Sequence, residues 1–215
     1  MKKLKPENMI GQSLILGLML VFTLCCNKND VIDNRKECVD FNGNIYKTVL
    51  IGGQEWMAEN LRVTHYNNGD AITTGLSNDA WLGTAEGAYA IFPHENIDNF
   101  ESEAEVSEAY GKLYNWYAVA DARLLCPDGW RVPTDDDWKI LEGTVDSKFV
   151  IGDPEWDDKG DRGYDAGEKL KATSAWILEN GTDEYGFSAL PGSYRHNTSE
   201  GYFIPTIGYL GFWWS

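Results

Sequence analysis

Cys126-Pro-Asp-Gly-Trp-Arg-Val-Pro-Thr-Asp-Asp-Asp-Trp138 sets a turn and then starts a helix. Thr134, just after Pro133, has the hydroxyl that suits an N-cap. Asp135, Asp136 and Asp137 fill the first turn, where the helix dipole favours negative charge. Asp137 stands three residues after Thr134 and can serve as a shorter version of the capping-box glutamate. Trp138 and Leu141 then share an inner face. Upstream, Leu113, Trp116, Tyr117 and Ala120 recur at spacings of three and four, which predicts another buried helix face running from Tyr110.

Strands are expected on either side. Residues 39–41, the pair Asn42-Gly43 and the β-branched run 45–51 predict a hairpin whose second strand ends at Gly52 and Gly53. Residues 54–66 read as a strand passing into irregular chain, and 70–90 as loop. Glu101, Glu103, Glu105 and Glu108 read as a solvated acidic face. Near the end, residues 186–190, 202–204 and 207–214 read as short strands. Between them, 147–185 is rich in Gly, Asp and Trp, with one short helix expected over 166–172; long ordered loops of this kind usually carry function. The pattern is α+β.

The N-terminus reads as a leader. Lys2, Lys3 and Lys5 precede an uncharged, mostly apolar stretch from Met9 to Cys26, whose strongly apolar part is shorter than the roughly 20 residues that span a bilayer. It ends in Thr23-Leu-Cys-Cys26, which resembles a lipoprotein lipobox; Cys26, preceded by the small Cys25, is the expected lipid-bearing residue. The expected organisation is a signal peptide over 1–25, a polar tether over 26–37 and one domain over 38–215. Residues 1–25 carry a net +2, so the remainder holds −18 against −16 for the whole chain, a field that repels phosphate backbones and excludes nucleic acid as a partner. Nine Trp, eleven Tyr and eight Phe argue for a packed core rather than a disordered acidic chain. With Cys26 acylated, Cys38 and Cys126 remain as an even pair suited to a disulfide in an oxidising compartment.

Five blocks carry a resemblance: residues 40–61, Tyr110-Gly-Lys-Leu-Tyr-Asn-Trp-Tyr117, residues 126–134 with Trp138, Gly186-Phe-Ser-Ala-Leu-Pro-Gly-Ser-Tyr-Arg195, and Gly211-Phe-Trp-Trp-Ser215. Together they resemble the Fibrobacter succinogenes major paralogous domain, found in bacterial surface lipoproteins. The resemblance implies a C-type lectin-like fold, with two helices on a small, mostly antiparallel sheet and a long loop region on one side. It also implies further chain after Ser215, ending in a cysteine-containing strand. On that expectation the domain here lacks its closing strand, and the missing cysteine is an alternative partner for Cys126.

No catalytic constellation accompanies these blocks. The 126–138 block is also similar to a helix entry in formylglycine-generating proteins, where it builds fold and does no chemistry. His65, His94 and His196 lie in no recognisable motif, and neither a Gly-x-Ser-x-Gly elbow nor zinc spacing occurs. The cluster Asp153, Glu155, Asp157, Asp158, Asp161 and Asp165 has the oxygen chemistry calcium favours, but not EF-hand order. Calcium is therefore the one cofactor considered, against a solvated acidic loop. Trp156, Tyr164, Trp176 and Tyr185 are the aromatics expected near the surface, whereas Trp56, Trp116, Trp130, Trp138, Trp213 and Trp214 are expected in the core. The leading expectation is a noncatalytic envelope or surface module, held to the outer membrane or cell surface by its lipid. It binds glycan or a surface protein through Trp156, Asp157, Asp161, Arg162, Tyr164 and Trp176. The alternatives are a lectin-fold enzyme related to formylglycine-generating proteins, or a purely structural envelope protein.

Overall fold

Short strands joined by tight turns make up the β part of the chain. The computed structural model describes residues 1–3, 37–196 and 201–215. Its strands are β1 (Lys2–Lys3), β2 (Cys38–Val39), β3 (Ile45–Tyr46), β4 (Thr48–Ile51), β5 (Gln54–Met57), β6 (Tyr89–Ala90), β7 (Leu113–Tyr114) and β8 (Trp130–Arg131). The expected hairpin is two consecutive hairpins. In the first, Val39 faces Ile45, and the Asp40 carboxylate holds the turn by accepting from the Asn42 and Asn44 backbone N–H groups and from the Tyr46 hydroxyl. In the second, β4 pairs antiparallel with β5, placing Val49 opposite Trp56. Its two-residue turn needs positive φ at both positions, which Gly52 (57°) and Gly53 (77°) supply. The main sheet has the order β4-β5-β1-β8; β2-β3 and β6-β7 form separate two-stranded ribbons. All of these pairings are antiparallel.

The helices are α1 (Asn78–Gly83), α2 (Glu103–Tyr110), α3 (Trp116–Val119), α4 (Asp135–Val145) and α5 (Ala166–Leu170). The expected capping box at α4 forms: the Thr134 hydroxyl accepts from the Asp137 N–H, and the Asp137 carboxylate accepts from the Thr134 N–H at 2.9 Å. α5 lies where the short loop helix was expected. The helix expected from Tyr110 is not there. The acidic stretch forms α2 instead, and Gly111 stops it at φ 75°; a Cβ there would approach Asn60 Cβ to 2.5 Å. Leu113 and Tyr114 then enter β7, and only one turn of helix follows. The late strands are likewise reduced to isolated bridges, Lys171 to Ala189, Ser193 to Gly211 and Arg195 to Phe203.

Among the described residues, apolar side chains gather in three clusters. One surrounds the two hairpins and β7, with Cys38, Tyr46, Leu61, Val63, Tyr66, Tyr114 and Trp130. A second joins Trp56 of β5 to Leu141 and Val145 of α4 and reaches Trp156, Leu170 and Phe187. In it, the Trp56 ring stands 4.9 Å from Trp138 and 5.8 Å from Phe187. The smallest packs Trp81 of α1 against Ala88 and Ala90. Among the described residues, no helix is long and apolar enough to cross a membrane.

Candidate binding site

The loop expected to bind ligand is strapped down. Trp156 is 1% exposed, packed in the α4 cluster, and its indole N–H donates to the Val150 carbonyl at 2.9 Å. It is a core residue, which corrects the expectation that it stays near the surface. Arg162 bonds Glu142 on α4 and donates to the Trp156 carbonyl at 2.8 Å, so its guanidinium is consumed in holding the loop. Burial raises the Glu142 carboxyl above its ordinary value despite that guanidinium. Asp146 fixes the other end by accepting from the backbone N–H groups of Lys148, Phe149, Tyr164, Asp165 and Ala166. Its burial alone would raise the carboxyl, but those donors outweigh burial and hold it well below the usual range.

The other expected residues do not converge. Asp157 pairs with Lys139 at 2.7 Å, Asp161 is exposed, and Tyr164 is 70% exposed. Trp176 is half-buried with its indole N–H on the Ala189 carbonyl at 3.0 Å. Among the described residues, no three His, Cys, Asp or Glu side chains gather so as to hold a metal ion. Cys38 and Cys126 are both buried and carry free thiols, and no disulfide joins them here. Burial pushes the Cys126 thiol up to about 11. Cys26 lies outside the described residues.

Exposed aromatics gather elsewhere, on the cleft between α3, β7 and the last residues of the chain. Asn115 builds one wall: its side-chain oxygen accepts from the Ala118 and Ala88 N–H groups and its amide donates to the Glu86 carbonyl, which sets the single turn α3 and turns Trp116 and Tyr117 outward. Trp116 is 56% and Tyr117 45% exposed. Opposite, Trp214 stands 6.1 Å from Trp116, and Trp213 stands 6.3 Å from Trp138. Both indoles are pinned, Trp213 by the Asn60 side-chain oxygen at 3.2 Å and Trp214 by the Tyr114 carbonyl at 3.0 Å. Phe212 packs edge-on against Tyr194 at 4.7 Å. Together with Trp81 and Arg195 these residues line a cleft of about 830 Å³.

Two cations border the cleft, and both are already engaged. Arg195 sits over the rings of Trp81 at 4.5 Å and Phe203 at 4.8 Å and donates to the Leu76 and Gly201 carbonyls. Lys112 donates to the Arg62 carbonyl at 2.9 Å and the Ser107 hydroxyl at 2.6 Å. Burial lowers both groups below their ordinary values. The cleft therefore offers fixed aromatic faces and a polar rim rather than a free charge, which suits stacking and hydrogen bonding. The sequence reading placed Trp116, Trp213 and Trp214 in the core because aromatic side chains bury large areas. The usable signal was the doublet Trp213-Trp214: in an extended chain neighbours point opposite ways, so one core cannot readily bury both.

A family model described as Fibrobacter succinogenes major domain matches residues 49–215. Neither a curated protein nor a solved structure matches the chain.

Proposed function

Because the chain belongs to the Fibrobacter succinogenes major domain family, we propose that it is a surface-associated module with a C-type lectin-like topology that binds glycan without catalysis. The aromatic cleft is its binding face. The observation that carries this reading is the pair of pinned indoles Trp213 and Trp214 with Trp116 opposite, each 40% or more exposed beside an 830 Å³ cleft. An indole held by its own N–H has lost its rotational freedom before the ligand arrives, so stacking a sugar ring on it costs little further ordering. A lipid on Cys26 holds the module to the cell envelope, at the outer membrane or cell surface, and the tether over 26–37 sets it off the bilayer.

A glycan array probed with the full chain and with Trp116→Ala/Trp214→Ala tests the reading. Hits on the wild type that vanish in the variant support it; an empty array together with protein partners captured on the same face replaces glycan by protein. Metabolic fatty-acid labelling of wild type, Cys26→Ser and Cys25→Ser tests the anchor, with label expected to disappear in Cys26→Ser.

A further inference from the structure

The two indoles that face each other across the cleft stand too close to grip one sugar between them. Carbon atoms pack best about 3.5–4.0 Å apart, so a ring held between two others needs those two about 7–8 Å apart. The Trp116 and Trp214 centroids are 6.1 Å apart. The two rings pack on each other instead and present themselves as adjoining facets, 56% and 40% exposed, each able to stack a separate sugar. Their separation is close to the length of one hexose unit. Sugars that reach both facets at once are therefore neighbours in a single chain.

The facets are not coplanar, since the indole planes are tilted 51° to one another. Each is held by the fold: Asn115 caps the single turn of α3 that carries Trp116, and the Trp214 N–H is fixed on the Tyr114 carbonyl. A flat sugar surface laid on one ring lifts away from the other, and a rigid crystal face would also have to descend into the cleft that both rings line. A chain that turns between successive residues sets one apolar face on each facet. Glucose suits such a chain, because its equatorial ring hydroxyls leave C–H groups on both faces of the ring, and either face can stack whichever way the chain turns.

We infer that the cleft takes two consecutive residues of a coiled, soluble glucan of the amylose or laminarin type, one on Trp116 and the next on Trp214, and does not take flat crystalline cellulose. The inference rests on the glycan reading above and adds to it the shape of the chain and the two-residue unit. Selectivity comes from the angle between the facets, while affinity comes from stacking on rings that are already ordered.

The full chain is titrated by calorimetry with glucose, with maltose and maltoheptaose, and with laminaribiose and laminarihexaose, and its depletion from solution by microcrystalline cellulose is measured alongside. In at least one of the two series the disaccharide is expected to bind about tenfold or more tighter than glucose, about 1.4 kcal/mol, with little further gain in the longer oligomer. Trp116→Ala is expected to bring the disaccharide down to the affinity of glucose at an unchanged melting temperature, and Trp116→Phe, which keeps a facet, to restore most of the difference. Cellulose is expected to leave the protein in solution. A disaccharide no better than glucose, full disaccharide affinity in Trp116→Ala, or depletion by cellulose would overturn this inference and leave the glycan reading standing. Silence from both series beside hits on the glycan array would do the same, whereas silence beside an empty array overturns both. Should Trp116→Ala not fold, the length dependence of the wild type and the cellulose depletion decide.

Discussion

Replacing Trp156 by alanine separates packing from binding at the residue where sequence and structure differ most. The side chain is 1% exposed and touches the Phe149 ring edge-on at 6.3 Å. Its indole N–H satisfies the Val150 carbonyl, and Gly143 approaches so closely that a Cβ there would lie 3.0 Å from the indole nitrogen. A buried Trp removes about 150–250 Å² from water. At about 25 cal/mol per Å² that is worth about 4–6 kcal/mol before relaxation. Measured Trp-to-Ala changes in cores cost about 3–5 kcal/mol, so the lower part of that range is the expected loss. For a chain of this size it lowers the melting temperature by about 6–15 °C. Denaturant unfolding followed by circular dichroism reads it directly. A loss under about 1 kcal/mol, with ligand affinity reduced at unchanged melting temperature, would refute the assignment of Trp156 to the core.

Asp146→Asn removes the charge on which five backbone N–H groups converge, and it is expected to cost about 2–4 kcal/mol, with proteolytic nicking after Ser147 as the local readout. Asp137 and Asp146 are both held below their ordinary 3.8, so the stability they give is complete above that value and falls as pH drops through it; urea midpoints are expected to decline between pH 5 and pH 2, more steeply in wild type than in Asp146→Asn. A flat profile over that range would contradict the hydrogen-bond assignments. Gly87→Ala would bring a Cβ within 1.8 Å of the Tyr66 hydroxyl and 2.9 Å of Ala118 Cα; overpacking of that kind is expected to cost about 1–3 kcal/mol by thermal unfolding.

Local chemistry made part of this fold readable. Thr134 with Asp137 specifies its cap within a few residues, and it forms as expected; Gly52 and Gly53 end β4 as expected while also making the turn into β5, which the sequence reading did not see. The helix expected from Tyr110 failed because a spacing of three and four does not register a glycine at φ 75°, which ends α2 and sends Leu113 into β7. The insertion of β1 between β5 and β8 depends on contacts more than fifty residues apart, and charge pattern alone marks Lys2 and Lys3 only as a basic leader. The loop from Ser147 to Tyr185 is long and aromatic, which is the signature of a binding loop. What straps it down is Arg162 on Glu142 at one point and Asp146 on the Tyr164 N–H at another, a tertiary arrangement with no local pattern. The cleft was missed for the complementary reason, because composition favours burying Trp while Asn115 turns Trp116 outward.

The most direct test of the aromatic cleft as the binding face is a fluorescence titration of the full chain with the strongest glycan from the array, repeated on Trp214→Ala and on Tyr164→Ala/Trp176→Ala. Trp214→Ala is expected to weaken binding about tenfold, about 1.4 kcal/mol, at a nearly unchanged melting temperature, while the loop variant stays within about twofold of wild type. Affinity lost in the loop variant and retained in Trp214→Ala would contradict the account and return the binding face to the loop.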